Sequence, residues 1–218
     1  MAKSLKIKSQ KAMLEGLDAL CCIFWGPDPD QCRTLIDGDF TEVFESVEKN
    51  LDINIHEGLD KFKSIIKGFD DPENLFLILN EEYVRLFISN LNGVTAPLFE
   101  SCYEYENAPL MGPSAIRMKD FLDSAGLDIS EDFNEPPDHL CIELELLYFI
   151  LEKAWKSKKN GQLKEAEAFV SKVMLPWIDT FYNKLTSQYP DCFYTLSACI
   201  LLEFLRSVKK SLASLLKR

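Results

Sequence analysis

The sequence predicts an all-α protein, a single compact bundle of eight or nine helices. Apolar residues recur at three- and four-residue spacings along most of the chain, whereas the alternating pattern of strands is scarce. Prolines and glycines fall at the ends of those periodic stretches, where they start and stop helices. The chain has 218 residues, 47% of them hydrophobic. That is enough to fill one sizeable core.

The elements follow in order. A first helix runs from about Lys8 to Trp25 and stops at Gly26-Pro27. A short one extends from Asp28-Pro29 to about Ile36, and Thr41–Leu51 and His56–Lys67 are two amphipathic helices. Asp71-Pro72-Glu73 is a strong helix start: an acidic N-cap, a proline in the first turn and a carboxylate facing the dipole. Leu75, Leu79, Tyr83 and Leu86 then face the core, and the helix ends near Asn90. Asn92–Gly112 is the longest non-helical stretch, of a length that is often functional. Pro113–Ala125 is the next helix, stopped by Gly126, and a second link covers Leu127–Pro136. The helix expected from Pro137 to Lys158 is apolar nearly all round, which places it amid other helices. Gln162–Leu185 follows, with a kink expected at Pro176. The last helix carries Leu201, Leu205, Val208, Leu212 and Leu215 on one stripe.

Composition removes several classes of function. A net charge of −11 opposes nucleic-acid binding, which demands a basic surface. It suits a cationic partner, and it is equally an ordinary route to solubility. The basic start is not read as a signal peptide, because Glu15 and Asp18 interrupt the segment that would form its apolar core. No apolar run approaches the roughly 18 residues of a membrane span, so a cytoplasmic protein without membrane insertion is expected. Seven cysteines without a Cys-x-x-Cys pair argue against a zinc ribbon, thioredoxin-like chemistry or a disulfide framework. No phosphate loop, dinucleotide fingerprint or Gly-x-Ser-x-Gly is present, and no catalytic residue, metal or cofactor is expected.

The most informative segment is Glu135-Pro136-Pro137-Asp138-His139. The paired prolines suit a helix entrance, which would put an acid and an imidazole on a polar, partly exposed first turn. Asp138 there could accept a bidentate guanidinium. His139 and Glu143 lie one turn apart and can pair, while the helix dipole opposes an imidazolium, so the protonation state stays open. Helix capping and ligand recognition are both open readings of Asp138 and His139. In the loop, Phe99, Glu100, Ser101 and Tyr103 offer an acid, a hydroxyl and two aromatics, chemistry suited to a basic and apolar peptide. A metal site from Glu135, Asp138, His139 and Cys141 lacks the second ligand pair of known zinc spacings. Tyr83, Leu86, Phe87 and Trp177 read as core.

Four segments occur in an order that resembles the TorD/DmsD/NarJ family of molybdoenzyme-specific chaperones. They are Tyr83-Val84-Arg85-Leu86-Phe87, Ala96-Pro97-Leu98-Phe99-Glu100-Ser101-Cys102-Tyr103, the Glu135–His139 pentad and Leu175-Pro176-Trp177. Together they span roughly Glu82 to Thr180, about half the chain, and the loop departs from the family pattern at Leu98 and Cys102. The resemblance implies a TorD-like helical fold over 1–218 and a non-enzymatic chaperone. It would bind the N-terminal leader, often a twin-arginine one, and the apo form of a molybdopterin-dependent oxidoreductase catalytic subunit. The implied client-binding residues are Glu100, Ser101, Tyr103, Glu135, Pro136, Asp138, His139 and Glu143. A scaffold binding a folded partner surface is the alternative, ahead of a nucleotide-binding or hydrolytic protein. The links 92–112 and 127–136 are long enough to act as hinges, so a monomer or a dimer is expected, the dimer open to domain swapping.

Overall fold

The computed structural model describes residues 2–91, 93–128, 135–157 and 160–217. Residues 129–134 of the second expected hinge, with Asn92 and Lys158, lie outside the described residues. Ten α-helical segments form among the described residues: α1 (Ala2–Trp25), α2 (Pro29–Asp37), α3 (Asp39–Leu51), α4 (His56–Ile66), α5 (Pro72–Tyr83), α6 (Pro113–Ala125), α7 (Leu140–Ser157), α8 (Asn160–Phe169), α9 (Leu175–Gln188) and α10 (Phe193–Leu216). A π turn, Val170–Met174, joins α8 to α9 without a break, so the described residues form nine rods. No strand forms among the described residues. One antiparallel bridge pairs Phe99 with His139.

Local chemistry fixes the helix ends. Asp28 accepts from the Gln31 N–H at 2.9 Å and Asp71 from the Glu73 N–H at 3.1 Å, each ahead of a first-turn proline. Gly126 adopts φ 71 and ends α6 where a side chain would be strained. α5 runs on through a second π turn, Val84–Ile88.

The bend expected at Pro176 takes the form of the Val170–Met174 π turn just before it. Pro176 has no N–H for the carbonyl of Lys172, four residues earlier. That carbonyl lies in the widened turn, where the regular ladder is already broken.

α7 and α10 share the centre. Leu140, Leu144, Leu147 and Leu151 of α7 are fully buried, and α1 and α8 pack against this helix. α10 packs against α4, α8 and α9. Its two buried serines are satisfied by carbonyls: Ser197 donates to Phe193 O and Ser207 to Leu51 O, both at 2.9 Å. No helix among the described residues is long and apolar enough to cross a membrane.

Candidate functional site

The structure brings the four motif segments to one place. Tyr83 and Phe87 pack edge-on at 5.1 Å between ring centroids, Phe87 stacks on Phe181 at 6.0 Å, and Phe181 meets Trp177 at 5.9 Å. Trp177 contacts Tyr103 at 5.3 Å. This aromatic chain links the end of α5, the loop and the start of α9 beneath the pentad. Tyr83, Leu86, Phe87 and Trp177 are core residues, as the helical spacing predicts, although Tyr83 also donates through its hydroxyl to Phe24 O at 3.2 Å.

The pentad differs from expectation. α7 begins at Leu140, and Pro137-Asp138 form a turn closed by His139 N–H donating to Pro136 O at 3.1 Å. Pro137 disfavours a helical Pro136, and the loop claims the backbone of the residues that follow. Glu100 N–H donates to Asp138 O at 3.1 Å and Leu140 N–H to Leu98 O at 2.8 Å. The loop segment Ala96–Tyr103 therefore lies across the pentad and covers it. Asp138 and His139, expected on a partly exposed turn, are buried, as are Glu100, Ser101 and Glu143. Glu135 is exposed and Pro136 and Tyr103 are half-buried.

Each buried polar side chain has a distinct task. Asp138 Oδ2 accepts from Ser101 N–H at 2.8 Å and anchors the short 3₁₀ turn Glu100–Tyr103. His139 caps α7: its Nδ1 accepts from Cys141 N–H at 3.2 Å, the second N–H of the helix. The ring stacks on Trp25 at 5.0 Å and meets Phe99 edge-on at 5.1 Å. Burial lowers its pKa to about 4, so the imidazole is neutral near pH 7 and its proton sits on Nε2. The pairing of His139 with Glu143 does not occur, because Glu143 Oε2 accepts from Trp177 Nε1–H at 3.0 Å. Tyr103 donates to Pro97 O at 2.8 Å, and Lys184 Nζ lies 4.5 Å from the centre of its ring.

Glu100, Asp138 and Glu143 form a buried carboxylate triad. Arg117 of α6 reaches it, with Nη2 2.6 Å from Glu100 Oε1. Burial raises the Glu100 pKa to about 7, opposed by Arg117 and assisted by Asp138. Burial likewise pushes Glu143 well above the carboxylate range, with Glu100 adding to the shift. Four buried oxygens, Glu100 Oε2, Ser101 Oγ, Asp138 Oδ1 and Glu143 Oε1, have no hydrogen-bond partner. Acceptors left open in this way suit a ligand rich in N–H donors.

Beside the triad, Trp25 also lines a cavity of about 560 Å³ between α1, α2 and α3. Its walls include Glu15, Asp18, Asp28 and Asp39 with Phe40 and Val43. Among the described residues no group of three or more His, Cys, Asp or Glu is arranged to hold a metal ion. All seven cysteines are free thiols.

Sequence reasoning missed Arg117, Trp25 and Glu104. Glu104 Oε1 accepts from Ser114 N–H at 2.7 Å and from the Ser114 hydroxyl, and so caps α6 from a distance. The scarcity of arginine in this acidic chain was the available signal for Arg117. A tryptophan closing α1 before Gly26-Pro27 was the signal for Trp25.

The profile of the nitrate reductase delta subunit family matches residues 48–183. The chaperone protein TorD of Photobacterium profundum is 27% identical over 154 residues, 69% of this chain and 71% of that protein. A TorD of Vibrio cholerae is 26% identical over 156 residues, 70% of each chain. The crystal structure of a putative redox enzyme maturation protein from Archaeoglobus fulgidus superposes with a TM-score of 0.50. It covers 92% of this chain and 94% of its own, at 22% identity, and shares the fold. The profile match spans more than half the chain, and the four segments that converge on the buried triad lie within it. The chain belongs to the TorD/DmsD/NarJ family of redox enzyme maturation chaperones.

Proposed function

We propose that the chain binds the N-terminal leader and apo form of a molybdopterin-dependent oxidoreductase catalytic subunit and retains it until cofactor is inserted. Where the client is exported, release would precede twin-arginine translocation. The site for this is the Glu100–Asp138–Glu143 triad with Ser101, Tyr103, His139 and the exposed Glu135-Pro136 edge. The observation that carries the reading is the set of open acceptors at the triad, where the resident guanidinium of Arg117 contacts Glu100 Oε1 alone. A guanidinium offers five N–H donors in a planar fork that matches carboxylates. The acid-walled cavity next to Trp25 offers apolar surface for the leader residues that follow.

Binding here requires no catalysis. Asp138 and Glu100 would receive the arginine, while His139, neutral and stacked on Trp25, would give the site its shape. The test is calorimetry with a synthetic peptide carrying two consecutive arginines followed by an apolar segment, and with its lysine counterpart. The arginine peptide should bind at least tenfold more tightly, because a lysine ammonium cannot make the bidentate pair. Equal affinity for both peptides would overturn the reading.

A second reading, a scaffold for a folded partner, draws on the exposed Leu77, Ile78, Ile88 and Leu91 near α5. Under it the isolated leader would not bind.

A further inference from the structure

Arg117 touches the triad from outside. Its side chain is 44% exposed, while its partner Glu100 is 8% exposed and Asp138 and Glu143 are 0% exposed. Glu100 is therefore the member of the triad nearest solvent, and the Arg117 guanidinium lies against it. The contact engages Glu100 Oε1 alone. Glu100 Oε2, Ser101 Oγ, Asp138 Oδ1 and Glu143 Oε1 are left without partners. The buried site accepts more hydrogen bonds than Arg117 makes.

α6 is anchored at its start by Glu104, which accepts from Ser114 N–H at 2.7 Å. The segment between them contains two non-glycine residues in left-handed conformations, Asn107 at φ 59 and Met111 at φ 62. Such conformations cost energy and concentrate at binding and switch regions. Tyr105, Leu110 and Met111 ahead of α6, and Ile116 in its first turn, leave apolar surface exposed.

We propose that Arg117 is a resident surrogate for the client's arginine, occupying the entrance of the triad in the free chain and yielding it to the incoming guanidinium. The proposal rests on the client reading above and adds to it a built-in competitor. Exchange of one guanidinium for another keeps a cation against Glu100 both before and after loading. The incoming arginine, not attached to α6, would meet the open oxygens of Asp138 and Glu143 once the loop over these 0% exposed residues opens. The exposed apolar side chains at the start of α6 meet the apolar residues that follow it. Competition of this kind lowers apparent affinity by the fraction of time the site is open. A latch closed nine times in ten weakens binding about tenfold.

The experiment is calorimetry and stopped-flow association of the same two-arginine leader peptide with wild type, Arg117→Gln and Arg117→Lys. Arg117→Gln should bind about three- to tenfold more tightly and associate faster, with Arg117→Lys between it and wild type. Should Arg117→Gln fail to fold, the Arg117→Lys comparison decides alone. Leader binding in wild type with unchanged or weaker binding in the folded variants overturns the surrogate role and leaves the client reading standing. No binding in wild type or variants overturns both. Binding gained only on replacing Arg117 supports both.

Discussion

Trp177 Nε1–H donates to Glu143 Oε2 at 3.0 Å, with both side chains buried. The bond ties the start of α9 to the first turns of α7, and hence the last motif segment to the pentad helix. The π turn at Val170–Met174 contributes to this alignment. A π turn inserts a residue into the helical ladder and so rotates everything after it by about one residue's turn.

Trp177→Phe keeps the ring in the aromatic cluster and removes only the donor. Glu143 Oε1 is already unpartnered, so the variant leaves the whole carboxyl group without a hydrogen bond. A buried polar group stranded in this way costs about 1–3 kcal/mol. Urea unfolding should show that loss as a lower midpoint with an unchanged slope. A change below about 0.5 kcal/mol would show that the bond matters little to the fold.

His139 gives a pH signature. Its folded pKa is lowered to about 4 by burial, against an ordinary 6.5. Between those values the unfolded chain binds the proton and the folded chain does not. The stability tied to the neutral ring is therefore fully present above pH 6.5 and is lost as pH falls towards 4, by up to about 3 kcal/mol. Glu100 and Glu143 act in the opposite sense, since their raised values favour the folded state in acid. The comparison must therefore be between variants. His139→Phe should lose less stability than wild type between pH 6.5 and 4 in thermal melts. Parallel curves would show that His139 is not buried as a neutral ring.

Most helices were legible because their signals are local. Asp28 and Asp71 cap where the sequence places them, and Gly126 stops α6 at the expected residue. The site was legible as a set of residues and not as a geometry. Asp138 and His139 have polar side chains next to two prolines, a pattern that reads as an exposed helix entrance. What buries them is the loop Ala96–Tyr103, some forty residues earlier, through backbone bonds at Leu98 and Glu100. Those bonds depend on no side-chain identity, so no pattern announces them. The pairing of Glu143 with Trp177 in place of His139 is equally non-local: i,i+4 spacing permits His139, and the fold supplies a better donor.

Assembly separates the two hinge proposals. The segment around 92–112 is fixed to its own chain by Ala96 N–H donating to Leu86 O at 3.0 Å, and by the loop's bonds to the pentad. Exchange through it would straighten the hinge and break these bonds, whereas exchange at the second link lets the loop's bonds to the pentad re-form between chains. We therefore place any exchange at 127–136, carrying α7 to α10 into a second copy. Light scattering after chromatography should then show monomer and a slowly interconverting dimer, with intact leader binding in both. Monomer alone over a wide concentration range would count against exchange.

Client affinity should rise with pH through about 7. Glu100, raised to about 7 by burial, with Asp138 and Glu104 adding and Arg117 opposing, is partly protonated at neutral pH. Burial likewise raises Glu143 well above the carboxylate range, with Glu100 and Asp138 adding and Trp177 and Arg117 opposing. A bound guanidinium favours the ionised forms, so binding releases protons and strengthens as pH rises from 6 to 8. Calorimetry in two buffers of different ionisation enthalpy measures that release directly. Glu100→Gln should flatten the pH dependence and weaken binding. Asp138→Ala, which an exposed carboxylate would tolerate, should here destabilise the fold as well, because Asp138 Oδ2 anchors Ser101 N–H. Asp138→Asn keeps an acceptor for that bond and removes the charge, so it isolates the effect on binding. A buried charge pair broken on one side costs about 2–5 kcal/mol, so affinity should fall at least tenfold while the melting temperature changes little. Unchanged leader affinity in both Glu100→Gln and Asp138→Asn, with the fold intact, would mean that the client binds elsewhere.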